Sequence, residues 1–313
     1  MALETPIAFF VFNRPEPTAR VFESIARQRP KNLLLISDGP RLYREDDESL
    51  VKQTREVISK VDWPCEVRCN FSDVNLGCRT RMATGITWAF EQHEELIILE
   101  DDCLPGPSFF EFCEQMLHRY RDQPRVMMIS GDHFQADYFS NDSYRFSRYF
   151  HIWGWASWRR AWNHYDVDMQ EWPQIRDSGT FRNLLNNEPE AEFWTTLYDR
   201  QFHGLIDSWD YPWEFAGMLN DGLAVLPNQN LVTNIGFGDD ATHTKDPEST
   251  WANMPATNLS LPLRHPDRIV ADWQADQWTL ENIFCPIESS AATLPIKNHW
   301  FSKLRRRFLR KSA

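Results

Sequence analysis

The chain has 313 residues, 42% hydrophobic and 25% charged, an ordinary globular composition with enough length for a sizeable core in one α/β domain or two joined lobes. A formal net charge of −12 argues against nucleic acid as a partner of its body. Six cysteines without paired spacing make neither a disulfide framework nor a zinc site, so reduced, mostly buried thiols and a cytoplasmic location are expected.

The first ~130 residues alternate strand and helix, the rhythm of a mainly parallel sheet with crossover helices. Residues 7–12 read as a first strand closed by Asn13-Arg14-Pro15. A helix over 17–29 follows, with Val21, Phe22 and Ile25 near one face. A second strand, 32–36, ends in the turn Ser37-Asp38-Gly39-Pro40. A helix over 45–61 leads to a third strand, 66–71, and Asn75-Leu76-Gly77 opens a helix to about His93. A fourth strand ends in Glu100-Asp101-Asp102, before a helix over 108–121 and a strand over 126–129 that stops at Ser130-Gly131-Asp132. Beyond Gly131 aromatics crowd in. Extended segments are expected at 224–227 and 231–233, and helices near 178–185 and 190–203. Residues 1–130 and 131–290 are expected to be two halves of one domain sharing a core without a flexible linker, the second binding substrate. The longest apolar runs are strand-length, and the N-terminus lacks the pattern of a secretory signal.

The segment Leu96-Ile97-Ile98-Leu99-Glu100-Asp101-Asp102-Cys103-Leu104-Pro105 carries the chemistry. A continuous apolar run reads as a buried parallel strand, and ligands of open α/β sheets collect beyond the carboxyl ends of such strands. Carboxylates delivered there suit a hard divalent cation that bridges to substrate phosphates. Parallel strands bring Asn13, Arg14, Asp38, Asp73 and Asn75 to the same edge. Asp38 either bonds its own turn or accepts hydrogen bonds from a base or ribose. Arg14 and Arg79 or Arg81 are candidates for phosphate pairing.

This order of motifs resembles the type-A fold of nucleotide-sugar-dependent glycosyltransferases, closest to the N-acetylglucosaminyltransferase I-like branch and its bacterial relatives. The likeness covers about residues 5 to 245, most strongly 100–105. It implies an α/β fold with a mixed, mainly parallel sheet flanked by helices. It also implies Mn²⁺ or Mg²⁺ at Asp102, with Glu100 and Asp101 near the ribose and the metal's water shell, and base recognition by Asp38. The segment His151 to Trp158 is similar to the Gly-Trp stretch that lines the sugar and acceptor pocket there. Trp faces stack on sugars, so Trp153 and Trp155, with Gly154 between them, are acceptor-contact candidates, joined by Trp209. In Asp207-Ser208-Trp209-Asp210-Tyr211-Pro212-Trp213-Glu214, the resemblance implies a base, with Asp210 first and Glu214 one turn later; a helix-capping role is the alternative for Asp210. The late loop 234–244 is a candidate lid, and His243 in it a candidate metal ligand.

The reading is a metal-dependent, inverting glycosyltransferase acting on a nucleotide-sugar donor and a glycan, lipid-linked or protein acceptor. A non-catalytic carbohydrate-binding protein and a sugar nucleotidyltransferase are the rivals. The basic tail 291–313 interleaves cations with Trp300, Phe301, Leu304, Phe308 and Leu309. It suits either an amphipathic helix on the inner face of a membrane or a solvated terminus.

Overall fold

The computed structural model describes residues 2–138, 140–185, 187–238 and 249–284. His243 and the basic tail 291–313 lie outside the described residues.

The chain begins β1 (Ile7–Val11), α1 (Pro15–Gln28), β2 (Asn32–Ser37), α2 (Asp47–Ile58), β3 (Glu66–Phe71), α3 (Cys78–Gln92) and β4 (Glu95–Glu100). It continues β5 (Cys103–Pro105), α4 (Phe109–Tyr120), β6 (Val126–Ser130), β7 (Tyr144–Ser147) and β8 (Trp155–Trp158). Short helices α5 (Arg159–Trp162), α6 (Trp172–Asp177) and α7 (Thr180–Asn183) precede α8 (Glu188–Phe202) and α9 (Asp210–Leu219). Last come β9 (Leu223–Pro227), β10 (Val232–Asn234), α10 (Trp273–Thr279) and a π-helical turn at Leu280–Phe284.

Eight strands form one mixed sheet in the order β3-β2-β1-β4-β8-β6-β9-β7, while β5 and β10 pair as a separate antiparallel ribbon. β1 pairs in parallel with β2 and β4, and β2 with β3. The fold class is therefore the expected one, a mixed, mainly parallel sheet flanked by helices. Alternate residues of each central strand feed two apolar layers, as a pleated sheet covered on both faces requires. Ile7, Phe9, Ile97 and Leu99 pack with Val21, Phe22 and Ile25 of α1 and with α4 on one face. Ala8, Phe10, Leu96 and Ile98 pack with Met82 and Ile86 of α3 and with Trp155, Trp162 and Trp213 on the other. A third aromatic cluster, built around Trp172, Trp194, Tyr198 and Phe215, seats α8 against α9.

Three sequence expectations change. β7 and β8 went unread, because their short aromatic and polar segments find partners only through remote pairing. β8 inserts antiparallel between β4 and β6. Of the helix expected at 178–185 only α7 forms, set off from the earlier α6 by Gly179, whose φ is 74°. Among the described residues the thiols are free, with Cys103 and Cys113 buried, but Cys69 is exposed on edge strand β3.

Candidate active site

Because β1, β2, β3 and β4 run parallel, residues 12–14, 38, 72–77 and 100–102 emerge at one edge of the sheet. β4 and β6 are both antiparallel to β8, so β6 delivers Asp132 to that edge as well.

The acids after β4 part company there. Asp101 is buried and turns inward, accepting from the Phe12 amide at 3.3 Å and from Arg14. Burial pushes its carboxyl up, with Arg14 opposing. It ties β1 to β4. Asp102 stays partly open, its side chain 14% exposed, and shares Arg14 Nη2 at 3.0 Å. Burial works against the Arg14 charge, but Asp101 and Asp102 outweigh it and hold the guanidinium above its ordinary value. Arg14 is therefore committed to carboxylates before any phosphate arrives. Glu100 has no side-chain hydrogen bond among the described residues. Burial, then repulsion from Asp102 and Asp101, pushes its carboxyl well above the usual range.

The ribbon of β5 and β10 brings residues 235–238 over this cluster. The Ile235 amide donates to the Asp102 carbonyl at 2.8 Å, and a Cβ placed on Gly236 would fall 2.1 Å from Asp102 Oδ2. Glycine is required there for the loop to lie against the carboxylate. Among the described residues no three His, Cys, Asp or Glu side chains are grouped to cage a metal by themselves. Asp102, partly open, with Glu100 beside it nevertheless fits a hard cation, since such ions take one or two carboxylates and complete their shell with waters and phosphate oxygens.

Several predicted donor contacts have other work. Asp38 accepts from the Gly39 and Leu76 amides at 2.9 Å, from the Gly77 amide at 3.1 Å and from Asn75 Nδ2 at 2.9 Å. Its carboxylate clamps the β3–α3 loop, the turn role that the sequence also allowed it. Asn13 donates to Asp47 at 2.8 Å, and Asp47, held to about 2 mainly by its hydrogen bond from Arg41, anchors the start of α2. Arg79 reaches the Val167 carbonyl at 2.8 Å and Asp168 at 3.0 Å, well away from a free phosphate-binding posture.

In the second half, Asp210 is the first residue of α9, and its Oδ1 is buried with no hydrogen-bond partner among the described residues. Burial raises its carboxyl to about 6, against two backbone hydrogen bonds that lower it. Asp210 and Glu100 are close enough to repel. Cys78, at the start of α3, feels Glu100, Asp210, Asp207 and Asp102 together, with burial the larger influence on its raised thiol. Glu214 is different: it is buried, accepts from the Phe150 amide at 2.8 Å, and is pushed far up by burial. That bond uses Oε2 and braces the fold, while Oε1 is buried with no partner among the described residues, so Glu214 stays the second candidate base, one turn after Asp210.

The tryptophans divide similarly. Trp155, 1% exposed, stacks on buried Trp209 with centroids 5.8 Å apart and planes at 19°. Neither offers a face to a sugar, which corrects both assignments. Gly154 is buried with φ 69°, and a Cβ there would lie 2.9 Å from Val232, so packing rather than ligand approach selects glycine. Trp153 is half-buried and meets Phe134 at 4.9 Å and Phe237 at 5.7 Å, edge to face. Sequence reasoning passed over Asp132 and His151; the only signal was an acid closing a strand at Ser130-Gly131-Asp132.

No protein-family model matches the chain, and no curated protein matches it. Solved structures resemble it in part. A mannosyltransferase from Pyrobaculum calidifontis, in complex with GDP-Man and Mn²⁺, has 13% identity and a TM-score of 0.35, over 50% of this chain and 45% of that one. Mannose-1-phosphate geranyltransferase from Thermus thermophilus has 13% identity and a TM-score of 0.35, over 71% and 74%. A 4-diphosphocytidyl-2C-methyl-D-erythritol synthase from Anaerococcus prevotii has 9% identity and a TM-score of 0.29, over 50% and 72%. The chain thus spans less than half of the mannosyltransferase. Similarity this shallow transfers no reaction, and the chemistry rests on the site. Among the described residues no helix is long and apolar enough to cross a membrane.

Proposed function

We propose that the chain is a divalent-cation-dependent glycosyltransferase that moves a sugar from a nucleoside-diphosphate donor to an acceptor hydroxyl with inversion. One observation carries this reading: a partly open, under-compensated carboxyl cluster, Glu100 and Asp102, stands close to a carboxyl, Asp210, whose burial tunes it to about 6.

The two groups suit the two halves of a displacement. Asp102, with Glu100 beside it, would hold Mn²⁺ or Mg²⁺, which neutralises charge on a diphosphate leaving group. Asp210 takes the proton of the acceptor O–H as that oxygen forms its bond to the anomeric carbon. The bond from that carbon to the diphosphate oxygen breaks with its electron pair, and the nucleoside diphosphate departs. A carboxylate near 6 is a stronger base than an ordinary aspartate and is still ionised at neutral pH. Trp153 is proposed to flank the acceptor. The opening after β1, Phe12-Asn13-Arg14-Pro15, is not a glycine-rich phosphate loop, and Pro15 begins α1 directly. This weighs against nucleotidyl transfer.

The test is to incubate the protein with UDP- and GDP-sugars plus Mn²⁺ and measure free nucleoside diphosphate. Release that depends on Mn²⁺ and falls to background in Asp102→Asn and Asp210→Asn supports the reading. Release of pyrophosphate from nucleoside triphosphates and sugar phosphate would instead indicate nucleotidyl transfer. Saturable binding of glycans with no cation-dependent nucleotide binding would leave a carbohydrate-binding protein.

A further inference from the structure

Asp132 leaves β6 at the edge where Glu100 ends β4, with β8 between them, so two strand spacings, about 10 Å, separate the two strands. The Asp132 carboxylate is fully buried and accepts three hydrogen bonds: from Ser130 Oγ at 3.2 Å, His151 Nδ1 at 2.9 Å and the Trp153 amide at 3.1 Å. A carboxylate acceptor at Nδ1 fixes the ring hydrogen there, and that tautomer leaves a lone pair at Nε2. That nitrogen is buried and has no partner among the described residues, on a side chain only 4% exposed. An unmet acceptor is a penalty that a purely structural position would shed.

The surroundings say what would meet it. Phe134 lies on the His151 ring at 5.0 Å and packs its edges against Trp153 at 4.9 Å and Trp251 at 5.2 Å. Trp153 in turn meets Phe237, the neighbour of Gly236, which lies against Asp102. All four aromatic rings are half-buried. A lone-pair nitrogen set among aromatic walls beside a carboxylate cluster suits a ligand with apolar C–H faces and an O–H on its rim.

We propose that Asp132 and His151 form the polar anchor of a sugar-ring subsite, in which His151 Nε2 accepts a hydrogen bond from a ring hydroxyl. This deepens the glycosyltransferase reading and rests on it. Asp132 is a positioning residue: one carboxylate fixes the tautomer of His151 and the backbone of Trp153, so the anchor and its wall move as a unit. The ring belongs either to the donor or to the acceptor, and its chemistry is the same in both cases.

The experiment uses the full chain labelled with ¹⁵N-histidine, with Mg²⁺ present, and follows the Nε2 resonance of His151, identified by its loss in His151→Gln. UDP and GDP are added first, then UDP-glucose, UDP-N-acetylglucosamine and GDP-mannose, and finally methyl glycosides of the same sugars. Nucleoside diphosphates should leave Nε2 in place, whereas a sugar-bearing ligand should shift it upfield. A shift with a nucleotide sugar assigns the subsite to the donor; a shift only when methyl glycoside joins the nucleoside-diphosphate complex assigns it to the acceptor. In His151→Phe, affinity for the shifting ligand should fall about tenfold with nucleoside-diphosphate affinity unchanged. Nucleoside-diphosphate binding with Nε2 unmoved by every sugar overturns the inference and leaves the transferase reading standing. Should no nucleoside diphosphate bind, the transferase reading falls, and the methyl glycosides alone decide whether His151 holds a sugar.

Discussion

Arg14 reaches two carboxylates with one nitrogen: its Nη2 donates to Asp101 Oδ1 and, at 3.0 Å, to Asp102 Oδ2. The contact joins the end of β1 to the end of β4, and it sets a buried acid and a partly open acid against a single cation. Removing the guanidinium strands Asp101 in the interior. Breaking a buried pair costs about 3–5 kcal/mol, and because Arg14 is itself partly exposed, Arg14→Gln should lose about 2–3 kcal/mol in urea unfolding. The deficit should narrow as pH falls, since a protonated Asp101 needs no counter-charge. An Arg14→Gln protein as stable as wild type at pH 7 would show that the pair contributes nothing.

Asp210 links stability to catalysis with opposite signs. Its carboxyl stands at about 6 in the fold, above the ordinary 3.8. Folding therefore takes up a proton between those values, and the stabilisation it brings is complete below 3.8 and lost as pH rises through 6. At pH 7.5 the ionised, buried carboxylate carries a penalty on the order of 2–3 kcal/mol. Asp210→Asn should raise the melting temperature at pH 7.5 and match wild type near pH 4. Transfer should show the reverse: wild-type kcat/KM should climb with pH through an apparent pKa near 6, and Asp210→Asn should lack both the rate and the limb. An unchanged acid limb in the variant would remove Asp210 from the proton-transfer step.

Much of the architecture was legible because local signals coincide with global ones. β1 to β4, β6 and α1 to α4 repeat apolar residues at the period of their own element, so neighbours in sequence suffice to read them. β7 and β8 were illegible for the opposite reason. Trp155-Ala156-Ser157-Trp158 reads as an aromatic pocket until β4 and β6 are placed on either side of it. The site divides in the same way. The acidic end of β4 announced itself, but nothing local shows that Asp38 will clamp amides of Leu76 and Gly77, 38 and 39 residues onward. Nor does composition reveal that Asp101 faces inward and Asp102 outward; that follows from which side of the emerging strand Arg14 occupies.

Trp153 and Trp155 are two residues apart and should behave as different kinds of residue. Trp155 is stacked on Trp209 inside the layer that also holds Trp162 and Trp213. Trp155→Ala leaves a large void and should cost about 3–5 kcal/mol, with any activity loss following the loss of folded protein. Trp153 is half-buried at the crevice. Trp153→Ala should cost less stability and instead raise the KM for acceptor, with the donor KM little changed. Equal effects of the two substitutions on stability and on acceptor KM would erase the distinction between core and site.

Gly236 provides a test of Asp102 that leaves every carboxylate in place. Its backbone lies so close that an added Cβ would fall 2.1 Å from Asp102 Oδ2, a separation neither atom can tolerate. The loop is pinned on both sides, by Ile235 donating to the Asp102 carbonyl and by the Gly236 amide donating to Asn234 Oδ1 at 2.8 Å. The carboxylate must turn, and because Asp102 Cβ would also be only 2.6 Å away the loop must lift off it as well. Gly236→Ala should weaken Mn²⁺-dependent binding of nucleoside diphosphate by at least about tenfold, or about 1.4 kcal/mol, in titration calorimetry. Chelating the metal with EDTA should bring wild type down to the level of the variant, because both manipulations remove the same bridge between protein and diphosphate. The melting temperature without ligand should fall as well, since relieving the contact with Asp102 Cβ moves a pinned loop, so the affinities are compared at a temperature where both proteins are folded. Full metal-dependent affinity in Gly236→Ala would mean that the cation is held by groups other than Asp102.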